Sequence, residues 1–456
     1  MPSEIRSYIR SLAIDAYVVG GAVRDELLEL PYRDEDFVVP GVDQAGLRAL
    51  LEPHGRVEDM DVHGQLVGVR LHPRDRSIRA LAPAGIELTP PRAERSTGPG
   101  HRDFVIVSDA SITLDEDMAR RDFTINAIAR RLEDGTLVDP FDGQADLALR
   151  QIRTVGPTSF AEDPLRLLRG LRFVSQLGFD LAPGTLTEMR NEASGLAHVS
   201  AERIGGGIEA DGMGELSKLL LGRSPQKALL LARDTGVLEQ MIPEFTPALG
   251  YALTTDRRRQ PLEEHIFAVV QSAADGGARL VVRLACLLHD LGKVDAAASS
   301  LSHAAVGARL AGTILLRLRY PTDVQLAVAR IVAGHGFGLD GQIDALHARR
   351  FLAGNGDVLA FDLISHKHAD LNAKPEAGVK GEREALARFE QLVRQEREQP
   401  HRIADLAVTG DDLISAGFGE GPRIGAVLAL LLDAVVTDPA RNDSAWLLER
   451  AREELA

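Results

Sequence analysis

Asp34 and Asp36 stand two residues apart at the head of the apolar run FVV. In an extended chain a period of two places both carboxylates on one strand face, where their repulsion calls for a cation between them. Oxygen donors of this kind suit Mg²⁺, and two such ions at one place activate an attacking hydroxyl and stabilise a leaving pyrophosphate. Taken alone, a D-x-D pair also reads as a solvated acidic turn. Glu87, at the end of the strand-like run in GIELTPPR, is a candidate third carboxylate. Upstream, Gly20 and Gly21 follow an apolar strand and precede a helical stretch. Missing side chains there let backbone N–H groups approach a phosphate, and Arg24 adds a charged clamp.

A second constellation lies far along the chain: His265 in EEHIF, His289 and Asp290 in LLHDLGK, His303 in LSHAAVGARLA, His335 in AGHGF and Asp370 in HKHADLNAK. A lone histidine on an apolar helix is usually a satisfied core or surface residue. His289 and Asp290 differ, because both end the apolar run LVVRLACLL and must find a polar partner on one side of it. A metal ion is such a partner. Imidazole with carboxylate suits a transition ion such as Ni²⁺, Mn²⁺, Co²⁺ or Fe²⁺, and the sequence leaves that choice open.

These residues need elements to hold them. The chain has 456 residues, 45% hydrophobic and 26% charged, enough for several domains with ample cores. Its single cysteine, Cys286, excludes an internal disulfide framework and points to a reducing compartment. No apolar run reaches the ~18 residues of a membrane span, and MPSEIRSYIR lacks the marks of a secretory signal, so a cytoplasmic protein is expected. The net charge of −15 argues against a uniformly basic surface, yet arginines cluster between residues 120 and 172. The first ~150 residues alternate strand-like runs (AYVVGGAV, DEDFVVPG, LVGVRL, DFVIVS) with helical stretches, and from about 160 onward the apolar spacing is helical throughout. The expected fold is therefore α+β. A head with a small mixed sheet (1–148) leads into an all-α neck (149–253), a second helical unit (254–375) behind a linker at TTDRRRQP, and a C-terminal helical region (376–456). Nothing in the sequence sets the oligomeric state.

The combination GG-x-V-R-D followed by D-x-D is far more specific than its parts. It resembles the polymerase β-like nucleotidyltransferase head and, within that superfamily, the class II tRNA nucleotidyltransferase and poly(A) polymerase family. RRDFTINAIA (Arg120–Ala129), DPFDGQADL (Asp139–Leu147) and FAEDPLRLLRGLRF (Phe160–Phe173) resemble that family's further motifs, in order. The resemblance implies that Gly21, Arg24 and Arg121 contact the nucleotide and that Asp34 and Asp36 hold Mg²⁺. It also implies that Asp163, Arg166, Arg169 and Arg172 read the base and hold phosphate, with Asp122 and Asn126 organising the second motif. Cytosine and adenine each offer an amino donor beside a ring-nitrogen acceptor. A carboxylate takes the first and a guanidinium supplies the second, whereas uracil and guanine face mismatches.

The ordered set H, HD, H, H, D resembles the HD phosphohydrolase family, which makes His265, His289, Asp290 and Asp370 its core ligands and His303 and His335 those of a second ion. The implied partners are CTP, ATP and the 3′ end of tRNA, with no membrane. The implied reaction is template-independent CCA addition, joined by phosphatase or cyclic phosphodiesterase chemistry in the HD unit. Addition of A alone or CC alone, polyadenylation, a signalling hydrolase with a regulatory head, and an RNA-binding module with decayed sites are the alternatives. The interval PRAERSTGPGHRDFV (Pro91–Val105) fills the place where, by the resemblance, a flexible loop associated with adding the terminal A is expected. Two departures from the family pattern are visible. Glu29 follows Leu27 and Leu28 where glycine is usual, and AERIGGGIEADGMGEL (Ala201–Leu216) carries glycines where a charged helix is usual.

Overall fold

The computed structural model describes residues 3–31, 35–62, 65–96, 104–207, 212–255, 258–296, 300–339 and 343–453. Asp34 lies outside the described residues, as do residues 97–103 of the expected loop. Packing divides the chain into two compact units, residues 1–243 and 244–456. The second unit begins ahead of residue 254 because Phe245 packs on Phe267, with ring centroids 5.9 Å apart.

The first unit opens with α1 (Glu4–Ser11), β1 (Tyr17–Val19), α2 (Gly21–Leu27), β2 (Asp36–Val38), α3 (Gln44–Leu51), β3 (Gly55–Val62) and β4 (Gln65–Pro73). It continues through α4 (Arg76–Leu81), β5 (Ile86–Thr89), β6 (Arg92–Ser96), β7 (Phe104–Ser108), α5 (Leu114–Ala119), β8 (Ala129–Arg131), β9 (Leu137–Val138) and α6 (Gly143–Leu149). Among the described residues seven strands form one mixed sheet in the order β3-β4-β5-β2-β1-β8-β9, while β6 and β7 pair separately. Buried Val18, Val19, Phe37, Val38 and Leu88 make the short central strands apolar enough to form the middle of the sheet. Strands β2 and β5 run parallel, with Phe37 opposite Leu88 and Val38 opposite Thr89. One residue earlier, the same register sets Asp36 beside Glu87. Glu29, just past α2, has φ +55°, the left-handed conformation that glycine adopts without strain.

Beyond the sheet come β10 (Gln151–Ile152), α7 (Ser159–Glu162), α8 (Leu165–Leu177), β11 (Asp180–Leu181), α9 (Pro183–Glu192), α10 (Ala201–Ile204), α11 (Glu215–Leu220), α12 (Pro225–Thr235) and α13 (Val237–Met241). The strand signal therefore does not stop altogether, since β10 and β11 make a short parallel pair. Helix α8 buries Leu167, Leu168, Leu171 and Val174, and this leaves Arg169 and Arg172 for a more open face. Among the described residues, the glycine-rich stretch puts no glycine inside an α-helix. Gly206, at φ +67°, bridges to Met213, and a Cβ on Gly214 would stand 2.3 Å from the Gly205 carbonyl oxygen. These glycines permit a close backbone crossing between α10 and α11.

The second unit contains β12 (Ala252–Thr255), β13 (Arg258–Pro261), α14 (Leu262–Asp275), α15 (Leu280–Leu288), α16 (Gly292–Ala296), α17 (His303–Arg317), α18 (Thr322–Gly334), α19 (Ala345–Asn372) and α20 (Glu376–Glu396). Helices α21 (Gly410–Ser415), α22 (Pro422–Thr437) and α23 (Ser444–Glu453) follow. The expected linker at 254–261 contributes to an antiparallel hairpin of β12 and β13. Every residue of α15 is buried, as the LVVRLACLL pattern requires of a central helix. Helix α20 is rich in charged residues, yet its Leu386, Phe389 and Val393 pack with Leu352, Ala360 and Leu371 of α19. No helix of the described residues is long and apolar enough to cross a membrane.

Candidate functional site

In the first unit a cavity of about 720 Å³ is lined by Gly21, Arg24, Asp36, Glu87, Arg121, Asp163, Arg166, Arg169 and Arg172. It thus gathers every described candidate of the head; Asp34 is not among the described residues. The carboxylate wall comes from the sheet, where Asp36 opens β2 and Glu87 sits beside it on β5, ion-paired with Arg70. Oxygen donors on adjacent parallel strands fit a hard divalent ion. At the turn into α2, Gly20 has φ +72°, and a Cβ there would stand 2.7 Å from Arg121 Nη1. Gly20 donates its own N–H to the Ile128 carbonyl, so its contribution is the space left for that guanidinium.

The opposite wall is cationic and tightly wired. Arg24 donates to Asn126 Oδ1 at 2.7 Å, Asn126 Nδ2 donates to Asp122 Oδ1 at 2.9 Å, and Arg169 donates twice to Asp122 Oδ2, at 2.6 and 2.8 Å. This chain joins α2, which follows the turn after β1, to α8. Burial alone would raise the Asp122 carboxyl, but Arg169, Asn126 and the Phe123 N–H outweigh it and pull the pKa down to about 2. Arg172 reaches Glu215 on α11 at 2.9 Å, and burial lowers its guanidinium to about 10 against the pull of that carboxylate.

Helix α8 begins at Leu165, with Pro164 ahead of it, and Asp163 is extended outside the helix, its Oδ1 accepting the Leu165 N–H at 3.0 Å. Asp163 thus stands outside α8, capping its first turn, while Arg166 is within the helix. Arg166 is buried and anchored, donating to the Arg120 carbonyl at 2.7 Å and to Ser159 Oγ at 2.9 Å. Two contributors escaped the sequence reading. Asp117, fully buried on α5, ion-pairs with Arg120 at 2.6 Å and Arg121 at 3.2 Å, and these cations outweigh burial and lower its pKa. The ring of Phe173 lies 4.4 Å from the Arg172 guanidinium carbon and 5.0 Å from that of Arg24. The i, i+3 and i, i+4 spacings of Asp117 to the two arginines were the available signal.

In the second unit five helices or their ends converge on Asp290. His265 comes from α14, His289 and Asp290 follow α15, His303 starts α17, His335 ends α18, and Asp370 belongs to α19. The described histidines and acids form two candidate ion-holding groups that share Asp290: His265, His289 and Asp290, and then Asp290, His303 and His335. Asp290 Oδ2 is 3.2 Å from His289 Nε2 and 3.6 Å from His265 Nε2. Its Oδ1 is 3.8 Å from His335 Nε2 and 3.9 Å from His303 Nε2. Asp370 Oδ1 lies 3.2 Å from His265 Nε2.

His289 Nδ1 donates to the Cys286 carbonyl at 2.8 Å and His335 Nδ1 to the Val332 carbonyl at 2.6 Å. Both bonds fix the tautomer whose Nε2 lone pair faces the centre, which is the form a metal ligand needs. Both carboxylates sit well below the usual carboxylate range. At Asp290 burial is outweighed by His289 and Lys293, and at Asp370 by His265, Lys374 and His289. Burial, followed by repulsion from His289, lowers His335 to about 4. Buried His366 adds an imidazole that the sequence reading passed over, although it precedes Asp370 by one helical turn in HKHAD.

Comparison with known proteins bears on both centres. The family profile described as "Poly A polymerase head domain" matches residues 16–153. "Probable RNA and SrmB- binding site of polymerase A" matches 178–249, and "HD domain" matches 262–403. A multifunctional CCA protein of Dechloromonas aromatica (strain RCB) is 38% identical over 328 residues, spanning 70% of this chain and 73% of its own. That of Neisseria gonorrhoeae (strain NCCP11945) is 39% identical over 287 residues, 61% of this chain and 62% of its own. The crystal structure of the Bacillus stearothermophilus CCA-adding enzyme in complex with CTP superposes with a TM-score of 0.67 at 27% identity, covering 99% of this chain and 97% of that one. The Thermotoga maritima enzyme complexed with tRNA shares the fold, with a TM-score of 0.61 at 19% identity over 100% and 97% of the two chains.

Proposed function

The chain belongs to the family of multifunctional CCA proteins, and from that premise we propose that it adds CMP, CMP and AMP, taken from CTP and ATP, to the 3′ end of tRNA without a nucleic-acid template. The observation that carries this reading is the cavity lined together by the Asp36 and Glu87 carboxylates, the Gly20–Gly21 turn and the arginines of α8. Arg24 and Arg121 hold the triphosphate, and Arg169 and Arg172 take up charge on the phosphates and the departing pyrophosphate. Asp163 and Arg166 read the amino group and ring nitrogen of the incoming base. Asp36, with Asp34 and Glu87 as partners, would hold Mg²⁺, whose chemistry is to acidify the terminal hydroxyl and neutralise the leaving group. The tRNA 3′-hydroxyl attacks the α-phosphorus in line, pyrophosphate leaves, and most of the rate comes from holding the reactants in that geometry.

The HD centre is assigned a metal-dependent phosphohydrolase activity on phosphomonoesters or cyclic phosphodiesters, such as damaged RNA 3′ ends. His265, His289, Asp290 and Asp370 would hold one ion, and Asp290, His303 and His335 a second. A bound transition ion of this class, Ni²⁺, Mn²⁺, Co²⁺ or Fe²⁺, supplies a water acidic enough to attack phosphorus at neutral pH. A cytoplasmic location accompanies this function.

The test is incubation with tRNA lacking its 3′ CCA, with labelled CTP and ATP added separately and together. Three added nucleotides in the mixture, two with CTP alone and none with ATP alone are expected. Single-A, CC-only or homopolymer products would replace the proposed reaction. Asp36→Ala should abolish transfer, and wild-type incorporation by that variant would remove the central assignment. Asp163→Ala or Arg166→Ala should narrow the preference for CTP over UTP more than it weakens triphosphate binding. His289→Ala should abolish phosphohydrolase activity and leave tRNA extension intact.

A further inference from the structure

We propose that His366 is an additional nitrogen ligand of the HD metal centre, completing a set of five imidazoles that favours a late transition ion over Mg²⁺. The proposal rests on the reading that this centre holds metal. His366 is 0% exposed, and neither its Nδ1 nor its Nε2 has a hydrogen-bond partner among the described residues. A neutral imidazole carries one donor and one acceptor, and burying both unmet is costly unless another partner takes the lone pair. His401, elsewhere in the same unit, provides the contrast. It is 1% exposed, yet its Nδ1 meets the Gln399 carbonyl at 2.8 Å and its Nε2 meets Asp357 at 3.1 Å. An ordinary buried histidine of this protein is thus fully bonded, and His366 is not.

Its position supplies the partner. The His366 ring centroid is 4.9 Å from that of His289 and 5.6 Å from that of His335. It touches one ring from each of the two candidate groups around Asp290. On α19 it precedes Asp370 by four residues, so both side chains share one helical face. That face also carries the Asp370 oxygen 3.2 Å from His265 Nε2. Five imidazoles with two carboxylates form a nitrogen-rich donor set, which suits Ni²⁺, Co²⁺ or Fe²⁺ and is poorly matched to Mg²⁺ or Ca²⁺.

The experiment uses the full chain, stripped with chelator and titrated with Co²⁺, reading bound metal by elemental analysis and the ligand field by visible absorption. Wild type is compared with His366→Ala and with His366→Leu, which fills the core without a nitrogen; Trp446 fluorescence and circular dichroism check folding of each. The expected result is Co²⁺ affinity at least tenfold weaker in the folded variants, with altered absorption and a smaller preference for Co²⁺ over Mg²⁺ in competition. A folded His366→Leu protein with wild-type affinity, stoichiometry and spectrum would overturn the proposal and leave the metal centre standing. A wild type that binds none of Co²⁺, Ni²⁺, Fe²⁺ or Mn²⁺ would overturn both.

Discussion

Replacing Asp122 by asparagine removes the charge on which the wiring of the nucleotidyltransferase cavity converges. Asp122 accepts two bonds from Arg169, one from Asn126 and one from the Phe123 N–H, the last at 2.8 Å. An amide keeps an acceptor for Phe123 but loses the charge facing the guanidinium. The fall of the carboxyl from its ordinary 3.8 to about 2 corresponds to about 2.5 kcal/mol of stability at pH 7. Because the folded pKa is the lower one, this contribution is complete above the unfolded value and disappears as pH falls through the folded one. At pH 3 roughly half should remain.

The Asp122→Asn variant should therefore be about 2–4 kcal/mol less stable at pH 7, the upper end reflecting the Arg169 cation left without its partner, with a smaller gap at pH 3. Urea unfolding of the first unit, followed through hydrogen exchange of the α8 amides, measures this gap. The single tryptophan, Trp446, belongs to the second unit and serves as an internal control. CMP transfer should fall at least tenfold, since Arg169 loses its anchor and Arg24 loses the support relayed through Asn126. A gap below about 1 kcal/mol at pH 7, or one that is equal at both pH values, would refute the electrostatic account.

Phe173→Leu removes the ring beneath Arg24 and Arg172; at about 0.5–1 kcal/mol per cation, KM for CTP and ATP should rise several-fold in steady-state assays, with kcat nearly unchanged. Glu29→Gly relieves a left-handed φ of +55° and should stabilise the first unit by up to about 1 kcal/mol in urea unfolding, without altering tRNA extension. In Gly292→Ala the new Cβ would stand 2.3 Å from the His303 carbonyl oxygen and 2.4 Å from the Gly307 amide nitrogen. Helix α17 must shift and carry His303 with it. Metal analysis should show weakened binding at the His303–His335 side while CCA addition is retained.

Local spacing made much of this protein legible in advance. The alternation of apolar runs marked the sheet, the apolar run before His289 and Asp290 marked a buried helix ending at a polar centre, and the order of motifs along the chain marked the family. His289 and Asp290 stood out because they end an apolar run, whereas His265, His303, His335 and Asp370 were named only through the resemblance to the HD family. The hairpin at residues 252–261 was not legible as one, because the short strands ALTT and RRQP show little apolar periodicity. The glycines at 205–207 and 214 were read against a helix, whereas their use is a backbone crossing that depends on distant chain.

What only the tertiary structure decided is which groups satisfy one another. Asp122 and Arg169 are 47 residues apart, Arg172 and Glu215 are 43 apart, and Asp36 gains Glu87 as a neighbour only through the parallel register of β2 and β5. Burial and partner count are likewise invisible along a chain, so His366 looked like one histidine among several until its surroundings left both nitrogens unmet. Sequence carries the identity of donors and acceptors and their local periodicity. Pairing energies depend on distance through space and on the exclusion of water, and folding alone sets those.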